Sequence, residues 1–246
     1  MKGIFKKLKI LAIDTTAKTA TAALTEDKKL IGLTVLNTPN THSVTLLPAI
    51  EGLLSGASVT AGDVDLFVCS SGPGSFTGVR IGTSTVKGLA YAQNKTCIGV
   101  SALEALAENI TADNCVICPV MDARRGQLYN ALFEKKDGSL IRLTEDRTIT
   151  KDDLKAELEA KGLKVLLCGD GYDIAARTMP ELISAETPEM QLYHNAYSVA
   201  VVGYRAYMSA TEEERKAFTA SALAPVYLRA SQAERERNEK LNNNAM

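Results

Sequence analysis

The stretch SSGPGSFTGVRIGTSTVKGLA, residues 70–90, carries a proline and several glycines and follows the apolar run DLFVCS. That run predicts a buried strand, and the spacing of apolar residues after the glycines predicts a helix over about residues 77–93. A strand, a glycine-rich turn and a helix in succession are typical of an α/β unit. The stretch therefore predicts an α/β fold.

The glycine-rich turn matches neither the phosphate-binding motif GxxxxGK[ST] nor the dinucleotide-binding motif GxGxxG. It has no lysine, and Pro73 has no backbone N–H to offer a ligand. Two interpretations fit the residues. Either the N–H groups near Ser75 and Gly78 bind an anion at the start of the helix, or Gly78 and Gly82 let another segment approach the helix backbone.

Further elements are predicted on both sides of this unit. The segments LKILAID, TATAALTE and KLIGLTVL predict three strands, and Asn40 is predicted to cap a helix over THSVTLLPAIEGLLSG. Ser101 and Glu104 have the spacing of a capping box. From VICPVMD onward a second cycle follows, with LYNALFE, LIRL and LKVLLCG as strands, a helix capped by Thr150 and an apolar helix NAYSVAVVGYRAYM.

The two cycles begin alike. When Asp14 of AIDTTAKTATAALTE is aligned with Asp122 of VMDARRGQLYNALFE, three further residues match without a gap. They are Ala23 with Ala131, Leu24 with Leu132, and Glu26 with Glu134. Two similar starts, each leading into helix and strand, indicate duplicated α/β units around a central cleft. The predicted parts are an N-terminal subdomain (1–110), a C-terminal subdomain (111–230) and a polar tail (231–246).

Composition excludes several classes of function. Lysine and arginine number 28 against 29 aspartate and glutamate, for a net charge of −1, so no global field attracts nucleic acid or a membrane. Any RNA contact must come through a local patch or a partner. No stretch approaches the roughly 18 apolar residues of a membrane span, and the apolar run from Leu8 to Ile13 is too short for a signal peptide. We therefore predict a cytoplasmic protein.

Five cysteines lie mostly in or beside apolar runs, which predicts buried, reduced thiols. The CVIC segment has the spacing of a redox or zinc motif, but no second cysteine pair follows it. Because side chains alternate along a strand, Cys115 and Cys118 are expected on opposite faces. The segment is therefore interpreted as part of a strand.

Polar turns follow the two matched strands. Asp14 precedes Thr15 and Thr16, and Asp122 precedes ARRG, which places these residues at the mouth of the predicted cleft. They either bind a phosphate or metal there, or they cap turns by accepting backbone N–H groups. Ser71 and Ser75 have no histidine near them in sequence, so they are weak candidates for a nucleophile.

Three segments together resemble the TsaB (YeaZ) family: GPGSFTG after a strand, AIDTT at the first strand, and PVYLR near the end. The resemblance extends to about Arg229. It implies the duplicated actin-like ATPase fold, which is ribonuclease H-like, with two mixed sheets flanked by helices. It also implies partnership with TsaD and TsaE in making threonylcarbamoyladenosine next to the anticodon of tRNAs that read codons beginning with adenine. Contact with tRNA is then indirect, through the complex.

The resemblance also bears on catalysis. TsaD binds a metal through an HxEGH-like pattern, and the corresponding segment here has Ala102 and Leu106 where the histidines would stand. Neither side chain can ligate a metal. The chain has two histidines, His42 and His194, and one imidazole does not assemble a catalytic centre. We therefore predict no catalytic residue, no metal site and no cofactor required by this chain.

The family resemblance implies that two helices pack against the same pair in TsaD, or in a second copy of the chain as a homodimer. ATP or ADP is expected at or near that partner interface. The predicted interface residues are His42, Val44, Leu47, Leu54, Arg80, Ile81 and Thr85. The predicted nucleotide- or anion-binding residues are Asp14, Thr15, Ser75, Thr77 and Gly78.

A second hypothesis treats the chain as an enzyme. In it, an ATP-dependent kinase or hydrolase of the actin-like superfold holds phosphates with Asp14, Thr15 and Asp122, and the GDG segment (169–171) lies near adenosine. A homodimeric regulator with a separate cellular role is a third, weaker reading. The two main hypotheses differ in whether the chain alone turns over nucleotide.

Overall fold

The computed structural model describes residues 7–229. The first half contains a five-stranded sheet in the order β3-β2-β1-β4-β5, in which β2 runs antiparallel to its neighbours and β4 and β5 run parallel to β1. Its elements are β1 (Lys9–Asp14), β2 (Ala20–Glu26), β3 (Lys29–Leu36), α1 (His42–Gly56), β4 (Leu66–Gly72), α2 (Phe76–Ala92), β5 (Thr96–Ser101) and α3 (Ala102–Glu108).

The second half repeats this plan in shortened form. Its elements are β6 (Cys115–Arg124), β7 (Gln127–Asn130), β8 (Phe133–Lys136), β9 (Ser139–Arg142), β10 (Arg147–Thr150), α4 (Lys151–Ala160), β11 (Val165–Cys168), α5 (Tyr172–Thr178), α6 (Glu189–Leu192), α7 (Ala196–Ser209) and α8 (Glu212–Arg215). β7 and β8 are both antiparallel to β6 and pair with it in the same register, although residues 131–132 interrupt the strand between them. β11 runs parallel to β6. In the first half β5 pairs with β4; at the corresponding edge of the second half, Val165 of β11 forms a single parallel bridge with Ile183.

Side chains alternate between the two faces of β1, so β1 contributes to two separate clusters in the core of the first half. Leu11 and Ile13 lie in a cluster with α1 and α2, whereas Ile10 and Ala12 lie in a cluster with α7. Both faces of β1 are therefore buried, as its nearly continuous apolar run requires. In the second half, α3 covers one face of the sheet, and α4 and α5 cover the other.

The chain crosses between the halves after α6. Helix α7 packs on the first sheet, and a Cβ at Gly203 would lie 2.6 Å from Cγ1 of Val68. The final segment also returns to the first half, where the N–H of Val226 donates to the carbonyl of Ser71 at 2.7 Å. The predicted boundary between residues 110 and 111 stays a prediction, and the structure adds that these later segments pack across it.

Most predicted elements are present, with local differences. The cap of α1 is Thr41 rather than Asn40, and LYNALFE is interrupted between β7 and β8. Ser101 and Thr150 cap their helices as predicted, but Glu104 does not complete a capping box because its carboxylate pairs with Arg142 and Arg205. β10 and the short helices α5, α6 and α8 were not predicted. The predicted tail, 231–246, lies outside the described residues.

Candidate functional site

The glycine-rich turn packs against the loop that follows β1. The Ser75 hydroxyl accepts the Gly78 N–H at 3.3 Å and so caps α2. A Cβ at Gly78 would overlap the carbonyl of Thr15, and a Cβ at Gly74 would overlap the carbonyl of Thr16. The Thr15 hydroxyl donates to the Gly78 carbonyl at 2.7 Å. The close-packing interpretation therefore describes this turn, and the approaching segment is the β1–β2 loop.

Asp14 lies at the end of β1, buried beneath that loop. Its Oδ1 accepts the N–H and the hydroxyl of Thr16 at 2.8 and 2.7 Å, and its Oδ2 accepts the Ser70 hydroxyl at 2.5 Å. Nδ1 of His194 lies 3.0 Å from the same Oδ2. Both carboxylate oxygens are thus occupied by groups of the chain itself.

Asp14 and His194 form a buried pair that joins β1 to the segment before α7. Burial opposes the charge of Asp14, but the imidazole and the hydrogen bonds outweigh it and hold the pKa of Asp14 below its ordinary value. Burial likewise opposes the imidazolium, but the charge of Asp14 and its hydrogen bond raise the pKa of His194. Both shifts therefore favour the ionised form of the pair.

This arrangement is not that of a serine nucleophile and its base. Ser70 donates to Asp14 rather than to the imidazole, and Nε2 of His194 has no hydrogen-bond partner among residues 7–229. Ser71 donates to the Val100 carbonyl at 3.3 Å, and Ser75 caps α2. A triad needs the serine hydroxyl on the imidazole, so these serines lack the required geometry.

A cavity of about 470 Å³ lies between the two halves. Of the predicted nucleotide- or anion-binding residues, Ser75 and Thr77 line it, whereas Asp14 and Thr15 are buried away from it and Gly78 lies against Thr15. The other lining residues come from both halves: Thr16, Ala17, Lys18, Gly74, Phe76, Met121, Asp122, Ala123, Arg124, Tyr129, Asp170 and Arg229. The predicted nucleotide role of Asp14 and Thr15 stays a prediction, and in this conformation they offer a ligand no exposed polar atom.

Asp122, the counterpart of Asp14, is in a more open setting. Its Oδ1 accepts the N–H of Arg124 at 2.7 Å, and its Oδ2 lies 3.2 Å from the Arg124 guanidinium. Asp170 of the GDG segment accepts the Asp122 N–H at 3.2 Å. Asp122 caps its own turn, as one of the two possibilities predicted, and it also lines the cavity; its binding of a phosphate or metal stays a prediction.

A second surface of interest is the outer face of α1 and α2. Val44 is 66% exposed and Leu47 is 49% exposed, although both are apolar. Ile81 and Thr85 of α2 belong to the same predicted set and are half-buried. Leu54 is a correction: it is 8% exposed and packs with Leu46 and Ile50 in the core, because helical spacing turns it inward.

Two other predicted interface residues have partners within the chain. Nε2 of His42 lies 2.8 Å from the Ala17 carbonyl. Arg80 donates from Nε to the Tyr227 hydroxyl at 2.8 Å and lies over the stacked rings of Phe76 and Tyr227, whose centroids are 4.5 Å apart. Sequence reasoning missed the roles of Tyr227 and Ser70, because each contact depends on chain segments that are distant in sequence.

The cysteines are unpaired. Burial raises the pKa of Cys69 and of Cys118 to about 12, so neither is a reactive thiolate. Cys115 is half-buried and packs with a different core cluster from Cys118, in agreement with the predicted opposite faces. Within residues 7–229, no three potential ligands of the histidine, cysteine or carboxylate kind are grouped to hold a metal. Ala102 and Leu106 are both in the core.

Comparison with known proteins identifies the family. The family model described as "TsaD: tRNA N6-adenosine threonylcarbamoyltransferase" matches residues 32–237. The chain is 31% identical over 228 residues to the tRNA threonylcarbamoyladenosine biosynthesis protein TsaB of Bacillus subtilis, covering 92% of this chain and 96% of that one. The chain belongs to the TsaB (YeaZ) family. Its role is in tRNA threonylcarbamoyladenosine biosynthesis.

Two further relatives agree with this. TsaB of Escherichia coli is 30% identical over 152 residues, which cover 61% of this chain and 65% of that protein. The structure of YeaZ from Pseudomonas aeruginosa has a TM-score of 0.72 at 24% identity and covers 90% of this chain and 100% of that one. The chain thus has the duplicated α/β fold of that YeaZ structure, with two mixed sheets flanked by helices, as predicted. No helix in the described part of the chain is long and apolar enough to cross a bilayer.

Proposed function

We propose that this chain is a non-catalytic subunit that binds TsaD, with TsaE, in the cytoplasm and supports threonylcarbamoyl transfer to adenosine in tRNA. The observation that carries this proposal is the apolar outer face of α1 and α2. Val44 and Leu47 are exposed there, on a helix whose opposite face supplies core residues. An apolar face at this position costs solvation free energy unless another chain covers it.

The shape of this face suits a helical partner. A Cβ at Gly52 on α1 or at Gly88 on α2 would meet no heavy atom within 4 Å, so the surface is low at both positions. Because the chain matches the TsaD family model over most of its length, the two proteins are related folds and can present related faces to each other. The same face would serve a homodimer when TsaD is absent.

The state of Asp14 supports a non-catalytic role. The alternative enzyme hypothesis requires Asp14 and Thr15 to reach phosphates in the cleft. Both carboxylate oxygens of Asp14 are instead hydrogen-bonded within the chain, to Thr16, Ser70 and His194. The Thr15 hydroxyl donates to the Gly78 carbonyl. Nucleotide turnover would first have to break this buried set of hydrogen bonds. Binding of ATP or ADP at the junction with the partner remains compatible with the structure.

A charge on the exposed face tests the proposed interface. Leu47→Glu is expected to weaken the complex with TsaD at least about tenfold in co-purification and titration, because a carboxylate would be buried unpaired. Leu143→Glu is the matched control, since Leu143 is 45% exposed and lies in the second half. Equal binding by the Leu47→Glu and wild-type chains would show that the interface lies elsewhere.

Reconstituted tRNA modification tests the function itself. TsaD, TsaE and the other reaction components are expected to form threonylcarbamoyladenosine with this chain and to form much less without it. Normal modification in its absence would contradict the subunit role. The purified chain alone is expected to hydrolyse no ATP with magnesium, and turnover that is lost in Asp14→Ala would favour the enzyme hypothesis.

A further inference from the structure

Three cationic side chains line the 470 Å³ cavity, and a fourth follows one of them directly in the sequence. Lys18 lies in the β1–β2 loop, Arg124 lies at the end of β6, and Arg229 lies in the final segment, and all three line the cavity. Arg125 is the next residue after Arg124 and is exposed. We call these four residues the basic rim. They come from three separate parts of the chain, so only the tertiary structure brings them together.

The charges of the basic rim are only partly balanced. In the part of the chain that the structure describes, no carboxylate forms an ion pair with Lys18, Arg125 or Arg229. Arg229 donates to the carbonyls of Ala123 and Arg124 instead. Two carboxylates line the cavity: Asp122, which pairs with Arg124, and Asp170, which accepts a backbone N–H. Three cations and two acids therefore line the cavity, and Arg125 adds an exposed cation next to Arg124.

The backbone of the β6–β7 turn is strained in a way that sets these arginines outward. Arg124 has φ of 66° and Arg125 has φ of 56°, followed by Gly126 at 73°. The left-handed conformation is unfavourable for a residue with a Cβ, and glycine avoids that cost. The side chain of Arg124 is 81% exposed although it pairs with Asp122. Two exposed arginines thus stand where glycine would be more stable.

We propose that the basic rim binds the phosphate backbone of RNA, and specifically of the tRNA substrate. This inference rests on the proposed function, which brings tRNA to the complex. Cations spread along a cavity mouth, with Arg125 outside it, suit an extended polyanion better than a single enclosed phosphate group. The chain has no net positive charge, so this local patch would supply the attraction that its overall charge does not.

The test is tRNA binding by the full chain in complex with TsaD, measured by fluorescence anisotropy with an unmodified, labelled tRNA transcript over a range of salt concentrations. The double variant Lys18→Ala/Arg125→Gly removes two rim charges. It is expected to bind about 5- to 20-fold more weakly, and the slope of log affinity against log salt should fall by about 1.5, since each phosphate contact contributes about 0.7 to 0.9. Arg125→Gly also relieves strain, so a folding defect does not explain weaker binding.

Two control variants separate the charge effect from other causes. Lys136→Ala/Lys164→Ala removes two exposed lysines that do not line the cavity, and it should leave affinity within about twofold of wild type. Lys18→Arg/Arg125→Lys keeps both charges and should keep the salt slope. Wild-type affinity and slope in Lys18→Ala/Arg125→Gly would overturn the inference, as would a loss of ADP binding with tRNA binding unchanged.

Failure of the proposed function would look different. If the wild-type chain forms no complex with TsaD, or if modification proceeds without it, the subunit role fails. The same anisotropy titration on the isolated full chain then still tests the basic rim. If the complex forms and modifies tRNA but TsaD alone binds tRNA with the same affinity and salt slope, the subunit role stands and the RNA-binding inference is wrong.

Discussion

The loop after β1 and the turn after β6 lie at matching places in the two halves, and each begins beside an aspartate. The β1–β2 loop, residues 15–19, reaches α2 through Thr15 and covers Asp14. The β6–β7 turn consists of Arg125 and Gly126, which are exposed, and it leaves Asp122 partly open to solvent. The longer loop, together with Ser70 and His194, accompanies a buried aspartate, and the two-residue turn accompanies a partly exposed one.

The strongest test of this contrast is to remove each aspartate. Asp14→Ala would leave His194 without its carboxylate partner in the core, and we expect a loss of about 3–5 kcal/mol in the free energy of unfolding, as for other broken buried pairs. Asp122→Ala should cost less than about 1 kcal/mol because its pair with Arg124 is exposed. Urea denaturation followed by circular dichroism measures both. Equal losses of unfolding free energy in the two variants would show that Asp14 is no more important to stability than Asp122.

The tight packing beneath the first loop predicts a second contrast. Gly78→Ala places a methyl group against the Thr15 carbonyl, so we expect a loss of about 1–3 kcal/mol in unfolding free energy. Gly88→Ala, on the same helix, meets nothing within 4 Å and should stabilise the protein by about 0.5–1 kcal/mol, because alanine favours helix. A neutral Gly78→Ala variant would mean that the loop moves away from α2 without cost.

The ionised pair at the first site predicts a dependence of stability on pH. The pKa of Asp14 is lowered by folding, so its contribution is lost as pH falls through that lowered value. The pKa of His194 is raised, so its contribution is lost as pH rises through that raised value. Between the ordinary values of 3.8 and 6.5, both contributions are present.

Chemical denaturation between pH 4 and 9 tests this prediction. The contribution of the pair, taken as the difference in stability between the wild-type and His194→Gln chains, should be largest between the ordinary pKa values of 3.8 and 6.5 and should decline at alkaline pH. His194→Gln should lack that part of the alkaline decline, whereas His42→Gln should keep it because the buried pair is intact. The same decline in the His194→Gln chain would exclude this pair as its source.

The smallest expected effect concerns the second turn. Arg125→Gly should raise the free energy of unfolding by about 0.5 kcal/mol, because relief of the left-handed strain slightly exceeds the added freedom of the unfolded chain. Gly126→Ala, in the same turn at φ 73°, should lower it by about 1 kcal/mol. Thermal unfolding compares the two. Destabilisation by Arg125→Gly would show that the arginine side chain contributes to the fold as well as to the rim.

The sequence predicted the elements well where the pattern is local. Strands with nearly continuous apolar runs, such as β1 and β4, and helices with cap residues, such as Ser101 and Thr150, are present as expected. It was less accurate where tertiary contacts override local pattern. LYNALFE reads as one strand, but it is interrupted at 131–132, where the Leu132 carbonyl accepts N–H groups from Leu143 and Thr144.

The site was predicted in part for the same reason. The sequence marked Asp14, Asp122 and the glycine-rich turn as the residues around a cleft; Asp122 and the turn line the cavity, whereas Asp14 is buried away from it. The sequence did not predict that Asp14 pairs with His194 in the core, because these residues are 180 positions apart and no motif contains both. Helical spacing also did not separate exposed Leu47 from buried Leu54.

The sequence by itself determined the α/β class, the duplicated plan and the family, because these follow from apolar periodicity, motif spacing and the identity of single residues. Only the tertiary structure decided which groups meet. It paired Asp14 with His194, pressed the glycine-rich turn against Thr15 and assembled the basic rim from three segments, since hydrogen bonds and charges act over a few ångströms whatever the distance along the chain.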